Sequence, residues 1–455
     1  MKPISVILTF CLLAPWLQSL RAEETNSNSG TPAVLLSSNA VVISADFLNE
    51  LFEHMRTNHP ALRAAFSRTK AAEANIGTIR TWDDPMLSVG GMAAERMMRR
   101  NDGDLIYGVD QKIPLFGKPG AERRVAAAEA SVEAARLEYQ FQQRRAAFAQ
   151  AAFRAALANE TVSIGEEDLA WLDLMRRTID SKYESGQATL VEVIQLSNEQ
   201  ERRATALQTE RDQLRHEMVT LNRFLNRDQQ AAWPRLLLPE PGPAIAFNQR
   251  LVEFAIKYEP KVRLIREEIR TAEASVDVAK RNRYPDVSVG LEARNYTGNG
   301  SFRQGMFVVS SSLPWVNTRK YRNEVKRERE RLSAAEHDLA DYQAELREEV
   351  HLLTVKIDAA RRESLLYRDQ IIPRTRAALE TIRANWEANR ASVRDLLEAR
   401  RMLLEARLMY ARAVAEQYEM MSDLVLCCGL GDLSALEMLA NADASAAPSI
   451  SESPK

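Results

Sequence analysis

Apolar and polar positions along this chain repeat with two different periods. Between residues 318 and 388, Val325, Leu332, Leu339, Leu346 and Leu353 recur every seven positions. That is a coiled-coil seam, with Arg and Glu filling much of the remainder. Between residues 285 and 297, Val287, Val289 and Leu291 instead alternate with Ser288, Gly290 and Glu292, the period of two of a strand with unlike faces. Read this way, the chain predicts a helix over 46–80, strands over 85–96 and 104–113, a very long helix over 118–183, then a tight turn and a returning helix over 190–226. The series then repeats as a helix over 246–281, strands over 285–297 and 302–313, a long helix over 318–388 and a return over 392–426. A helix of roughly 65–70 residues runs ~100 Å at ~1.5 Å per residue, and Pro373 is expected to kink the second one. Pro85 and Pro285 are expected as the first strand residues, where a missing N–H is tolerated. Arg99–Gly103 and Thr297–Gly300 read as polar hairpin loops. The first hairpin alternates less cleanly, because Gly90-Gly91-Met92-Ala93-Ala94 blurs its faces.

The recurrence is visible residue by residue. Pro60, Arg63, Ala72, Glu73, Ala74, Pro85, Ser88, Val89 and Gly90 reappear 200 positions later, and Pro114 reappears as Pro314. Further on the offset becomes 203, aligning Tyr183-Glu184-Ser185-Gly186 with Trp386-Glu387-Ala388-Asn389. A period of this size is a duplicated half rather than a solenoid unit. The expected organisation is a signal peptide over 1–22, an extension over 23–45, a first repeat over 46–226 and a Pro-rich linker over 227–245. A second repeat over 246–430 and a disordered tail over 431–455 complete it.

Strands of about ten residues suit tilted membrane-barrel strands, but four cannot close a barrel, since known ones begin at about eight. Open strand edges do not survive in lipid. If the strands span a membrane, several chains must share one barrel, and the helices leaving the strand ends then roll into a tube beneath it.

Composition adds exclusions. With 61 Lys+Arg against 63 Asp+Glu the net charge is −2, unlike the basic excess of nucleic-acid binders. Seventeen glycines and seventeen prolines are few for the length and suit few, long elements. Lys2, the apolar stretch from Ile4 to Leu20 and Leu20-Arg21-Ala22 read as an export signal. No later run reaches the ~18 apolar residues of a membrane helix. Three cysteines, Cys11, Cys427 and Cys428, make no disulfide framework. The five histidines, His54, His59, His216, His337 and His351, lack metal-ligand spacing, and no phosphate loop, nucleophile elbow or zincin motif is present. Neither an enzyme nor a bound cofactor or metal is expected.

Against this background the chain resembles the TolC family of outer-membrane efflux proteins along nearly its whole mature length. The carriers are NHPALRAAFSRTKAAEANIG with YEPKVRLIREEIRTAEASVDVAK, WDDPMLSVG with NRYPDVSVG, VDQKIPLFGKPGAERR with VSSSLPWVNTRKYRNE, and YESGQATLVEVIQ. DPMLSVG with QKIPLFGK is similar to the branch linked to heavy-metal efflux. The resemblance implies a mainly α homotrimer with a 12-stranded β-barrel in outer-membrane lipid, four strands per chain, and a periplasmic α-helical barrel. It also implies docking to a periplasmic adaptor and an inner-membrane pump, for efflux or type I secretion. The cargo, whether drug, metal ion or protein, is not legible.

In the family the tunnel narrows at acidic residues just past the second tip. That implies Asp395 and Glu398, three apart and so on one helix face, with Glu192 as the first-half counterpart. Threefold symmetry would make each an acidic ring favouring cations; the alternative is a solvated face beside Arg394 and Arg400. The tips are expected adaptor contacts: Tyr183, Gly186 and Gln187 in the first, Trp386, Asn389 and Arg390 in the second. Asn389 stands where the family usually has Gly, and Asn also tolerates left-handed angles. An exposed Trp386 calls for a partner, the alternative being an aromatic that merely packs the turn. Two competing readings are a periplasmic adaptor, which needs a single hairpin flanked by lipoyl-type strands, and a soluble coiled-coil protein, which needs no matched β-hairpins.

Overall fold

Two prolines divide what the periodicity reads as single opening helices. In the computed structural model, which describes residues 40–92, 104–296, 300–388, 390–436 and 438–439, α1 (Ala45–Asn58) is separate from α2 (Pro60–Thr78). Likewise α5 (Gln249–Tyr258) is separate from α6 (Pro260–Arg281). The residue before each proline, His59 or Glu259, takes an extended backbone with ψ 122° or 130°, since Pro Cδ crowds a helical predecessor. Each then caps the helix that follows. His59 Nδ1 accepts from the Ala61 N–H at 3.1 Å, and Glu259 Oε2 accepts from the Val262 N–H at 2.6 Å. The expected helices over 46–80 and 246–281 are thus corrected to two pairs.

The strands are β2 (Met86–Met92), β3 (Asp104–Ile113), β5 (Val287–Tyr296) and β6 (Phe302–Ser311). Two short pieces, β1 (Val41–Val42) and β4 (Leu236–Leu237), pair in parallel and tie the start of the described chain to the linker. Pro85 and Pro285 lie one and two residues ahead of the strands they were expected to begin. The hairpin loops, apart from Gly300, fall outside the described residues, as do the signal peptide and most of the extension.

The long helices are α3 (Lys118–Glu184), of 67 residues, and its return α4 (Leu190–Leu225). In the second half α7 (Thr318–Leu366) passes through a π turn at Tyr367–Ile371 into α8 (Ile372–Glu387), which α9 (Val393–Cys427) follows. The π turn lies just before Pro373, which cannot donate to the ladder. It also lies in the stretch where the repeat offset passes from 200 to 203. Of the expected seam, Val325, Leu346 and Leu353 are buried, while Leu332 and Leu339 are half-buried.

The tail is ordered further than expected. Asp432 Oδ1 accepts from the Ser434 hydroxyl and the Ala435 N–H, its other oxygen accepts from Asn49 Nδ2, and Leu433 and Leu436 are buried. Residues 431–436 therefore dock on α1, and those from 441 onward lie outside the described residues. Left-handed residues end the return helices, Asn226 (φ 52°) in the first half and Gly429 (φ 61°) in the second. Only glycine fits the latter, because a Cβ there would strike the Tyr258 carbonyl.

Candidate functional site

The four strands join into a single antiparallel sheet in the order β2-β3-β5-β6. Its central joint pairs the two halves, from Leu105 with Asn295 to Ile113 with Val287. This register sorts the side chains by face. One face carries Leu87 and Val89, Leu105, Tyr107 and Val109, Val289 and Leu291, and Phe307 and Val309. Most are well exposed, Leu87 at 73% and Leu291 at 68%. The opposite face carries Ser88, Asp110, Ser288, Glu292, Arg294 and Ser310 between small glycines, with Met86, Ile106, Met306 and Val308 as its apolar members. There Ser288 Oγ donates to Asp110 Oδ2 at 3.2 Å, and Arg294 Nε lies 3.4 Å from Glu292 Oε1. Apolar outside and polar inside is the arrangement of a membrane barrel wall. Ten residues at ~3.3 Å each give ~33 Å of strand, enough to cross hydrocarbon when tilted. At the strand bases Trp82 and Trp315 are exposed, and Phe116 stacks on Tyr284 at 4.9 Å between ring centroids. Aromatic side chains at that level mark a membrane–water boundary. The outer edges of β2 and β6 have no strand partner among the described residues.

At the far end the helical hairpins close in two capped turns. Gly186 takes φ 72°, and Thr189 then opens α4 with a capping box. The Thr189 N–H donates to Glu192 Oε2 at 2.8 Å, while the Glu192 N–H donates to Thr189 Oγ1 at 3.3 Å. The second tip repeats the device with Ser392 and Asp395. The Ser392 hydroxyl donates to Asp395 Oδ2 at 2.7 Å, and the Asp395 N–H donates to Ser392 Oγ at 3.2 Å. Glu192 and Asp395 thus each have a local structural task, and such a box satisfies two helix-end donors at once. The bonds from Ser392 also hold the Asp395 carboxyl below its usual range. Glu398 is exposed and caps no helix; its carboxylate lies 3.9 Å from Arg401 Nη1, whose closer partner is Glu199. Tyr183, Gln187 and Arg390 are exposed, and Asn389 lies outside the described residues.

Trp386 is corrected. It is 5% exposed, in a cluster with Leu172, Met175, Ile179, Leu196, Val393 and Leu396. Lys182 Nζ lies 4.2 Å from its ring centroid and donates to its carbonyl at 3.3 Å. The ring fastens the two hairpins to each other and offers nothing to a partner. The exposed apolar side chains at the tip are Leu190, Val191 and Ile194 of α4, which the sequence reading passed over. Their cue was four apolar residues, Leu190, Val191, Val193 and Ile194, among the first five of a helix.

Sequence reasoning also missed the bridges that hold α9. Arg400 Nε lies 2.9 Å from Asp168 Oδ1, and its guanidinium carbon sits 5.0 Å from the Trp171 ring centroid. Arg401 donates from Nη2 and Nε to the two carboxylate oxygens of Glu199 of α4, at 2.6 and 3.2 Å, and Arg407 reaches Glu167 of α3 at 2.6 Å. The signal was present: Asp168 precedes Leu172, Met175 and Ile179 on an apolar stripe where a carboxylate is out of place. The Arg407 bond holds Glu167 below the usual glutamate range. For Glu199, burial pushes upward, but the bonds from Arg401 and Arg202 outweigh it and hold the carboxyl low. A depressed folded-state pKa contributes stability above the ordinary value and loses it as pH falls through the shifted one. The Glu167 and Glu199 tethers of α9 should therefore hold across neutral pH and weaken only below about 4.5, the ordinary glutamate value. In planar bilayers, conductance should rise only in that acid range; a rise already near neutrality would contradict the tether assignment.

Among the described residues no helix is long and apolar enough to cross a membrane, and no group of three His, Cys, Asp or Glu side chains could hold a metal ion. Burial pushes the Cys427 thiol well up and that of Cys428 to about 12.

A four-stranded wall with one apolar face, carried on capped helical hairpins, defines a subunit of a membrane channel. The sequence profile of the outer membrane efflux proteins matches residues 51–227 and 251–429, both halves of the duplication, and the chain belongs to that family. No curated protein sequence matches it. Among solved structures, the outer-membrane channel OprN is similar at 18% identity, with 85% of this chain and 90% of that one covered and a TM-score of 0.73. VceC from Vibrio cholerae is similar at 17% identity, covering 85% and 97%, with a TM-score of 0.70. CusC, described as a transmembrane channel, is similar at 14% identity, covering 85% and 93%, with a TM-score of 0.75. At these identities the likeness establishes the fold. The protein is an outer-membrane duct, with most of its chain in the periplasm.

Proposed function

We propose that three copies complete one 12-stranded barrel and one helical tunnel, and that the duct passively conducts substrate delivered by a periplasmic adaptor and an inner-membrane pump. The observation that carries this reading is the sheet: one face apolar, one polar, and both edges open. Unpaired edges in hydrocarbon are too costly to persist, so each edge must be met by another copy. A soluble adaptor or a soluble coiled coil has no use for such a face. Mass determination of the detergent-extracted protein tests the assembly. A three-chain particle is expected, and a water-soluble single chain would break the proposal at its first step.

The periplasmic end is read as the constriction and the docking end. Widening it requires α9 to leave α3 and α4, which the Arg400, Arg401 and Arg407 bridges oppose. Glu398, Asp395 and Glu192 would form acidic rings, and Tyr183, Gly186, Gln187 and Arg390, with Leu190 and Val191, would meet the adaptor. Asn389 belongs to the same tip. Because Asp395 also caps α9, Glu398→Gln is the cleaner probe of charge. Cation preference in planar bilayers should fall for Glu398→Gln and fall further with Asp395→Asn added. Unchanged selectivity in both would sink the gate assignment.

A further inference from the structure

The duplication, together with the open edges, identifies which residues one copy presents to the next. The helices lie side by side in the order α2, α3, α6, α7, the same order as the strands they continue. α2 and α7 are the ends of this row, as β2 and β6 are the ends of the sheet.

Within the chain the two halves meet where α3 packs on α6. That joint holds an apolar cluster of Val132, Ala135 and Leu264 with Tyr139 against it. It also holds Arg136, whose Nη2 lies 3.5 Å from Glu268 Oε1. The helices that form it keep the 200-residue offset, since Lys118 and Thr318 begin α3 and α7 while Pro60 and Pro260 begin α2 and α6. Carrying each side of the joint across that offset gives α7 facing α2 of a neighbouring copy. Val132, Ala135 and Tyr139 become Leu332, Ala335 and Leu339, and Leu264 becomes Ala64. The ion pair becomes Glu336 and Arg68, with its signs exchanged.

The exposure of these counterparts fits a missing neighbour. Val132 and Ala135 are 8% and 7% exposed, whereas Leu332 and Ala335 are only half-buried and Ala64 is exposed. Arg68 and Glu336 are both exposed, and neither has an ion-pair partner among the described residues. The transferred pair is still complementary after both residues have changed type. A second internal bridge, Arg124 to Asp277, maps onto Glu324 and Gly77 and so has no transferred equivalent; Glu324 instead lies 3.8 Å from Lys320 of its own helix.

We propose that the seam between copies is α7 against α2 in the register of the internal α3–α6 joint, with Glu336 facing Arg68 of the partner subunit. The proposal rests on the trimer reading above and adds its register. The test uses the full chain in outer membranes, with Cys427 and Cys428 left in place because they are buried. Arg68→Cys with Glu336→Cys, treated with a short bifunctional thiol reagent, should give a denaturing-gel ladder ending at three chains. The internal control, Arg136→Cys with Glu268→Cys, should link within one chain and leave the mass unchanged. Trimers still captured by an amine cross-linker but no thiol ladder would overturn the seam and leave the trimer standing. Single-chain mass by both routes would remove the trimer and the seam together. As a second measure, Glu336→Arg should lower the temperature at which the trimer band dissociates, and Arg68→Glu in the same chain should restore it. Failure to restore counts against the seam.

Discussion

Trp386→Ala is expected to destabilise the periplasmic tip by about 3–5 kcal/mol, the usual cost of emptying a buried large aromatic position. The ring is 5% exposed and belongs to a buried cluster built from α3, α4, α8 and α9, so its removal leaves a cavity that no single helix lines alone. Lys182 would also lose the ring beneath its ammonium group. Helical melting in detergent should begin at a lower temperature, and protease should reach the tip first. Adaptor capture by correctly folded protein at low temperature should be retained. A variant that melted normally but lost adaptor capture would place Trp386 on the docking surface instead of in the core.

Arg400→Ala is expected to cost a similar amount, about 3–5 kcal/mol, because breaking a buried pair strands its other charge. Asp168 is 3% exposed, and its remaining cation, Arg203, stands 3.6 Å away and is already shared with Glu210. Replacing both members, as Arg400→Met with Asp168→Leu, should recover most of the loss, since a well-filled apolar pair avoids the desolvation penalty altogether. The thermal midpoints of the single and double variants decide it. Equal losses in both would mean that Arg400 acts through Trp171, on which it stacks, rather than through Asp168.

Some tip features were legible in advance because they are local. Thr189 with Glu192 and Ser392 with Asp395 are capping boxes written in four residues each. Read from the sequence, Asp395 is a pore acid or part of a solvated face and Glu192 its first-half counterpart; the helix-end chemistry that gives both a capping task is a third reading, visible in the same four residues. The split at Pro60 and Pro260 was equally available, since proline is favoured in the first turn of a helix and excluded from its interior. Trp386 was a different kind of error. The turn beside it is exposed, and nothing within four residues tells that α3 and α9 close over the ring. The exchange of Gly and Asn between halves, Gly186 against Asn389 and Asn226 against Gly429, shows why residue type alone misleads there. Both residues accept left-handed angles, but only at Gly429 does a neighbouring backbone exclude a Cβ.

By itself the sequence determined the element order, the duplication and the period of each segment. These follow from side chains a few positions apart, where spacing alone decides which face is apolar. From them came the need for several copies. The tertiary structure decided what depends on contacts between distant segments. It joined β3 to β5 across some 180 positions of chain, buried Trp386, and placed Asp168 against Arg400 across 232. Such contacts are selected by the packing of whole helices against one another, a choice that no local pattern of apolar and polar residues records.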